Sequence, residues 1–385
     1  METNKEYKVA LVLYTSGLDY DDRIRKEILT IQKYYPNIRF KIFAVDSNNR
    51  EESGVTSYGV EYRIPYLKSR DKYKSGSSTY IKAWDFYKSI KRDLKQFDAV
   101  WCADVETFLF ALLLKNKPIL WDLHELPTIF MKSWWKKMLF RFAERRVKIM
   151  LHANEPRLNY LSSIGLVKHI DKQFVLRNYP DFNEIDSEYD DTYFSFIEWL
   201  GNDKCVYLQS IVSTDRADEE SLGAVLAVPQ LKAVVVGRIG NGRMARFEEL
   251  FGKETLAQRV FFAGQQKQLK TPQYIRKCIM SLVFYKNTSM NNWYCEPNRL
   301  FQNIINGNPV VVGNNPTMID VVEKSGVGVC ANTDGSDRDE IVAAIQQVLS
   351  NMDSLKENLK ASDGKWLWSS QDDIIKHIVD KFLNK

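Results

Sequence analysis

The strongest constraint on this chain is a repeating order, in which short, nearly continuous apolar runs alternate with stretches of helical periodicity. YKVALVLY (7–14) precedes the amphipathic RIRKEILTIQKYY (23–35). FKIFAVD (40–46), DAVWCAD (98–104), PILWDLHE (118–125), VKIMLHAN (147–154) and FVLRNYP (174–180) continue the series, with helix-length segments between most of them. A strand apolar on both faces must be covered on both faces, so the pattern predicts α/β architecture with a parallel, doubly wound sheet. The rhythm stops at DFNEIDSEYDDTYFSFIEWLGND (181–203), which holds eight acidic residues and no basic one. It restarts with VYLQSIV (206–212), LKAVVVGRI (231–239), VFFAG (260–264), IMSLVFYK (279–286), NPVVVGN (308–314) and GVGVCA (326–331). At 385 residues the chain exceeds the usual single domain. Two Rossmann-like domains are expected, 1–180 and 205–365, with an acidic junction at 181–204 between them. Two such sheets facing a cleft bring their carboxyl ends together, the usual ligand position in open α/β sheets.

Composition narrows the function classes. Apolar residues make up 44% and aromatics 12%, which supplies two cores and argues against disorder. The longest apolar run, Phe108 to Leu114, falls far short of the ~20 residues that span a bilayer. METNKEYKVALVLY lacks the layout of a signal peptide, so a cytoplasmic location is expected. Five scattered cysteines (Cys102, Cys205, Cys278, Cys295, Cys330) form no CxxC pair, and four dispersed histidines form no HxxxH. Neither a disulfide framework nor a Cys/His metal site is expected. Residues 1–180 carry 32 Lys and Arg against 21 Asp and Glu, whereas the remainder carries 22 against 28. Only the first half is therefore suited to an anionic surface.

One stretch concentrates chemistry: CEPNRLFQNIINGNPVVVGN (295–314). Pro297 suits a first helical turn, Leu300, Phe301, Ile304 and Ile305 recur at helical spacing, and Gly307 is a natural stop before the strand Val310–Val312. Glu296, Asn298 and Arg299 thus stand at a helix N-terminus, where free N–H groups and the dipole favour anions. VVVGRIGNG (234–242) spaces its glycines G-x-x-G-x-G rather than G-x-G-x-x-G, which disfavours a nicotinamide site.

Taken together these segments resemble retaining GT-B glycosyltransferases of the family-4 type, in the branch that builds bacterial surface polysaccharides. The likeness rests most on Pro297-Asn298-Arg299-Leu300-Phe301-Gln302 followed by Gly307-Asn308-Pro309-Val310-Val311. DDRIRKE (21–27), WDLHELP (121–127), RNYPD (177–181), VFFAGQ (260–265) and a closing WSSQDDIIKHIVDKF (368–382) extend it over nearly the whole chain. It implies a C-terminal helix (366–385) crossing back to the first domain, and transfer of a sugar from a nucleoside diphosphate to a glycan or lipid-linked glycan hydroxyl with retention. It also implies front-face attack without a covalent intermediate, and no cofactor or metal beyond the donor. Arg299 and Arg216 would meet the diphosphate, with Gly17 in the first strand–helix loop. Gly237, Arg238, Phe262 and Gly264 would hold the base. Family members carry two glutamates with seven residues between them; here those positions are Tyr294 and Gln302. Gln302 keeps hydrogen-bonding capacity toward ribose without a charge. Glu296 is either a substitute toward the donor sugar or a favourable charge in a first helical turn.

WDLHELP places Asp122, His124 and Glu125 at a strand's carboxyl end, which makes them the catalytic candidates, with Asp104 behind them. Asp21 or Asp22 suits a helix cap. KSWWKKMLFRFAERRVK (132–148) holds seven basic residues and one glutamate. Trp134 and Trp135 with Lys136, Lys137, Arg141 and Arg145 fit either a membrane or acceptor surface or an ordinary sheet-covering helix with a basic outer face. No nucleic-acid motif accompanies them. The rivals to a transferase are a nucleotide-sugar epimerase of the same fold and a catalytically silent nucleotide- or glycan-binding partner subunit.

Overall fold

Strand β1 (Tyr7–Val12) buries Val9, Ala10, Leu11 and Val12 in succession. Such a strand is stable only with helices on both faces. The structure, a computed structural model, describes residues 6–14, 18, 21–74, 77–181, 188–209 and 214–383. The chain divides into two compact units, residues 1–178 with 371–385, and residues 179–370.

The first unit contains β1, β2 (Ile38–Phe43), β3 (Glu52–Val55), β4 (Glu61–Ile64), β5 (Ala99–Ala103), β6 (Ile119–Leu123), β7 (Ile149–His152) and β8 (Gln173–Val175), in the spatial order β3-β4-β2-β1-β5-β6-β7-β8. Every pairing is parallel except β3 with β4. The expected doubly wound sheet is present, with two differences. The β3–β4 hairpin forms an edge not anticipated from sequence, because its residues are exposed or half-buried except Ile64 and lack an apolar run. The run expected as a strand through residue 180 leaves the sheet after Val175, and the Gln371 side-chain amide then takes over as backbone partner. It accepts from Arg177 N at 2.8 Å and donates to Arg177 O at 2.9 Å.

In the second unit β9 (Lys204–Gln209), β10 (Leu231–Val236), β11 (Val260–Gly264), β12 (Met280–Val283), β13 (Val310–Val312) and β14 (Gly328–Cys330) run β11-β10-β9-β12-β13-β14, all parallel. Strand order reverses on either side of β1 in one sheet and of β9 in the other.

The helices that matter below are, in the first unit, α1 (Asp22–Tyr34), α2 (Thr79–Ile90), α3 (Phe108–Leu113) and α4 (Trp134–Arg146). The second unit adds α5 (Asp191–Leu200), α6 (Asp218–Ala227), α7 (Asn298–Ile305) and α8 (Pro316–Ser325); α9 (Asp372–Leu383) belongs to the first. Helix α5 lies in the acidic stretch 181–203, yet Tyr193, Phe196 and Leu200 are buried in the second unit's core. Helix α9 packs on α1, where Asp372 accepts from Tyr34 Oη at 2.5 Å and Asp380 from Tyr35 Oη at 3.0 Å. Among the described residues no helix is long and apolar enough to cross a membrane.

Candidate functional site

The first unit gathers a charged cluster at the carboxyl ends of β5 and β6. Asp122 is fully buried and accepts from Arg23 of α1 at 2.9 Å and 3.3 Å. Arg23 also donates to the Leu176 carbonyl at 2.9 Å and lies 3.1 Å from Glu27. His124 Nε2 is 3.0 Å from Asp122, and Nδ1 is 3.4 Å from Asp104. Burial opposes protonation of His124, but the carboxylates of Asp122 and Asp104 outweigh it and hold its pKa well above the ordinary histidine value. Asp122 is the converse case: burial would raise it, and Arg23 with His124 hold it well below the usual carboxylate range. Burial, then repulsion from Asp122, pushes the Glu27 carboxyl well above its usual value. The group is thus one ionic network of Arg23, Asp122, His124 and Asp104, with Glu27 held toward its neutral form.

With both ring nitrogens facing carboxylates, His124 is held toward its protonated form and is placed to order those neighbours. The neighbour it orders is Asp104, whose backbone lies at φ 66°, ψ 170°, a region that glycine alone enters freely. Its carbonyl is clamped by Trp121 Nε1 at 2.9 Å and Thr107 Oγ1 at 2.7 Å, and its N–H reaches the Asp122 carbonyl at 2.8 Å. Oδ1 of Asp104 is buried and has no hydrogen-bond partner. Glu125 is exposed. Asp21 caps α1 through Ile24 N at 3.3 Å, and Asp22 pairs with Arg25 and Lys26. Gly17 lies outside the described residues. Beyond β1 and β2 a polar cavity of about 450 Å³ is lined by Tyr14, Asn48, Arg70, Lys82 and Glu106 among others.

In the second unit Arg299 sits in the first turn of α7 with 9% of its surface exposed. Its guanidinium donates to the carbonyls of Gln209 at 3.0 Å and Phe284 at 2.9 Å. Those carbonyls end β9 and follow β12, so Arg299 spans the point where strand order reverses. Nε of Arg299 is buried with no hydrogen-bond partner. Its guanidinium carbon lies 4.9 Å from the Tyr285 ring centroid, and that of Arg216 lies 5.7 Å from the same ring. Burial first, and Arg216 among the neighbours, lower the Arg299 pKa. Two cations sharing one ring make this region receptive to an anion. Glu296 and Asn298 are half-buried at the same helix end, whose N-cap, Pro297, offers no side-chain cap. One turn on, Gln302 Oε1 is buried and has no hydrogen-bond partner.

The strand ends of β10 and β11 meet where Gly237 N donates to Gly264 O at 2.7 Å, with φ 117° and 67°. A side chain would be strained at either position. Arg238 is exposed, and Phe262 packs against the core. Sequence reasoning gave no role to Arg23, Tyr285 or Asn315, whose Nδ2 donates to the Tyr285 carbonyl at 3.0 Å. Arg23 lay in a recognisable segment, but its partner is 99 residues away. Among the described residues no group of three His, Cys, Asp or Glu is placed to hold a metal ion.

The same architecture occurs in solved structures. Anabaena HepE in complex with UDP matches with TM-score 0.69 at 14% identity, over 97% of this chain and 99% of that one. The chain has the GT-B fold. Sucrose-phosphate synthase from Thermosynechococcus elongatus matches with TM-score 0.72 at 12% identity, over 97% and 98% of the two chains. An E. coli trehalose-6-phosphate structure bound with UDP-2-fluoro glucose gives 0.68 at 12%, over 96% and 98%. No protein-family model matches the sequence, and no curated protein does.

Proposed function

We propose that this protein is a glycosyltransferase of cell-surface polysaccharide synthesis, working on the cytoplasmic side. It takes a sugar from a nucleoside diphosphate and places it, with retention of configuration, on a glycan or lipid-linked glycan hydroxyl. The observation that carries the reading is Arg299, a nearly buried guanidinium at the second sheet's switch point with Nε unpartnered and Arg216 over the same ring. A diphosphate supplies an acceptor for that Nε, and the two guanidinium groups stabilise the departing nucleoside diphosphate, the role a metal ion fills elsewhere. Gln302 Oε1 accepts from a ribose hydroxyl, and the Gly237–Gly264 turn leaves space for the base. The GT-B fold shared with HepE, solved in complex with UDP, supports the donor class.

In the first unit the acceptor glycan occupies the polar cavity beside Tyr14. Asp104, held by His124 and its clamped backbone, accepts a hydrogen bond from a sugar hydroxyl through Oδ1. His124 acts through Asp104 and is a positioning residue. A catalytically silent nucleotide-binding subunit is favoured by one feature, Gln302 in place of a charged ribose acceptor.

Calorimetric titration of Gln302 variants with UDP and GDP tests the donor site. Gln302→Ala is expected to weaken nucleotide binding by about 0.5–1.5 kcal/mol, the range of one neutral hydrogen bond, while Gln302→Glu retains or strengthens it. Normal affinity in Gln302→Ala would remove the residue from the site. Tight nucleotide binding without turnover of nucleotide sugars across glycan acceptors would favour the silent subunit.

A further inference from the structure

Helix α4 covers the first sheet with Phe140, Ala143 and Glu144, all buried. Its opposite face mixes cations with large exposed apolar side chains, where a sheet-covering helix usually shows charged and polar residues alone. Trp134, Met138 and Phe142 follow one another at four-residue intervals and expose 73%, 57% and 54% of their surface, with Trp135 beside them at 45%. Helices beside α4 also carry exposed apolar side chains: Ile81 and Trp84 on α2 and Leu113 on α3. The Lys136 ammonium, 5.8 Å from the Tyr80 ring, ties α4 to α2. Singly exposed apolar side chains are ordinary, but a contiguous set of this kind marks an interaction surface.

The charge around the patch has one sign. Lys132, Lys136, Lys137, Arg141, Arg145 and Arg146 lie along α4 and its approach, and Lys88 stands 5.1 Å from the Trp84 ring. Carboxylates on the same helices turn away. Glu144 is 1% exposed and bonds His169 Nδ1 at 2.7 Å and Gln173 Nε2 at 3.1 Å. Asp85 accepts from Ser69 N at 2.8 Å. A protein partner of mixed surface charge would not need so uniform a set of cations around exposed tryptophans.

We propose that this face docks on an anionic lipid bilayer, with Trp134, Met138 and Phe142 entering the interface and the cations meeting lipid headgroups. The proposal is independent of the donor site, and lipid binding is measured with no nucleotide present.

The test is co-sedimentation with phosphatidylcholine vesicles and with vesicles of equal parts phosphatidylcholine and phosphatidylglycerol. Salt is set at about 0.01 M and about 1 M, where the Debye length is about 30 Å and about 3 Å. Binding is expected to the anionic vesicles at low salt and to fall by about tenfold or more at high salt. Tryptophan emission should shift to the blue on binding, less so in Trp134→Phe. Replacing Lys132, Lys137 and Arg145 with glutamine should weaken binding, as should Trp134→Ser with Met138→Ser and Phe142→Ser. Protein left in the supernatant with anionic vesicles would overturn the proposal. So would equal binding to both vesicle types, or sedimentation that neither variant reduces. Preference for single-stranded RNA over anionic vesicles overturns it, as does dimerisation through this face without lipid binding. The wild-type lipid and salt dependence decides the matter even where a variant fails to fold.

Discussion

Asp104 holds a backbone conformation that costs about 1–3 kcal/mol for a residue with a side chain. Trp121 and Thr107 on its carbonyl fix that conformation, and the carboxylate is thereby directed to His124. Asp104→Gly removes strain and charge together, and Asp104→Asn removes only the charge. The glycine variant should therefore be more stable than the asparagine variant by about 1–3 kcal/mol, as read by scanning calorimetry. In both, NMR titration should show the His124 midpoint falling. A second histidine gives a pH test. Burial pulls His152 down to about 4, against about 6.5 unfolded. Because the unfolded chain binds the proton more readily, His152 contributes stability above about pH 6.5 that is lost as pH falls toward 4. The loss between pH 7.5 and 5 should be about 2 kcal/mol larger in the wild type than in His152→Gln, in which an amide can still meet Gln173. None of these couplings is legible locally. Asp122 and His124 stood out because they end a strand, but a positive φ at an aspartate leaves no mark in sequence, unlike one at glycine.

At the scale of elements the strands were the easiest to read, because burial on both faces leaves no room for polar residues. The exception was the β3–β4 hairpin, an exposed edge where ESGV and EYRI need no apolar run. Helix α7 was equally legible: Leu300, Phe301 and Ile304 are buried at helical spacing, and Gly307 ends the helix at φ 74°. What sequence could not show is the floor beneath it. Phe301 packs against Tyr179 at 4.7 Å and Trp366 at 5.6 Å, residues far away in the chain whose own rings lie 5.7 Å apart. Phe301→Ala should destabilise the second unit by about 3–5 kcal/mol, seen as a lower melting temperature. Because Arg299 rides on the same helix, nucleotide affinity should fall with it. Unchanged stability would mean that α7 is held by other contacts.

Across the whole molecule, a basic first half contrasts with an acidic remainder, and the two proposed sites divide along that contrast. The cations of α4 lie on the first unit, whereas the proposed donor anchor, Arg299 with Arg216, is a local positive site in the second. The chain's return to the first unit through α9 followed from the resemblance; its anchoring through Tyr34 and Tyr35 on α1 did not. The central claim is that the second unit binds a nucleoside diphosphate through Arg299. Isothermal titration calorimetry of the wild type and Arg299→Ala with UDP, GDP and ADP tests it most directly. At least one nucleotide should bind the wild type, and Arg299→Ala should weaken that binding by about 1.5–3 kcal/mol, roughly ten- to hundredfold. No binding of any of the three, or unchanged affinity in a folded Arg299→Ala protein, would contradict the account.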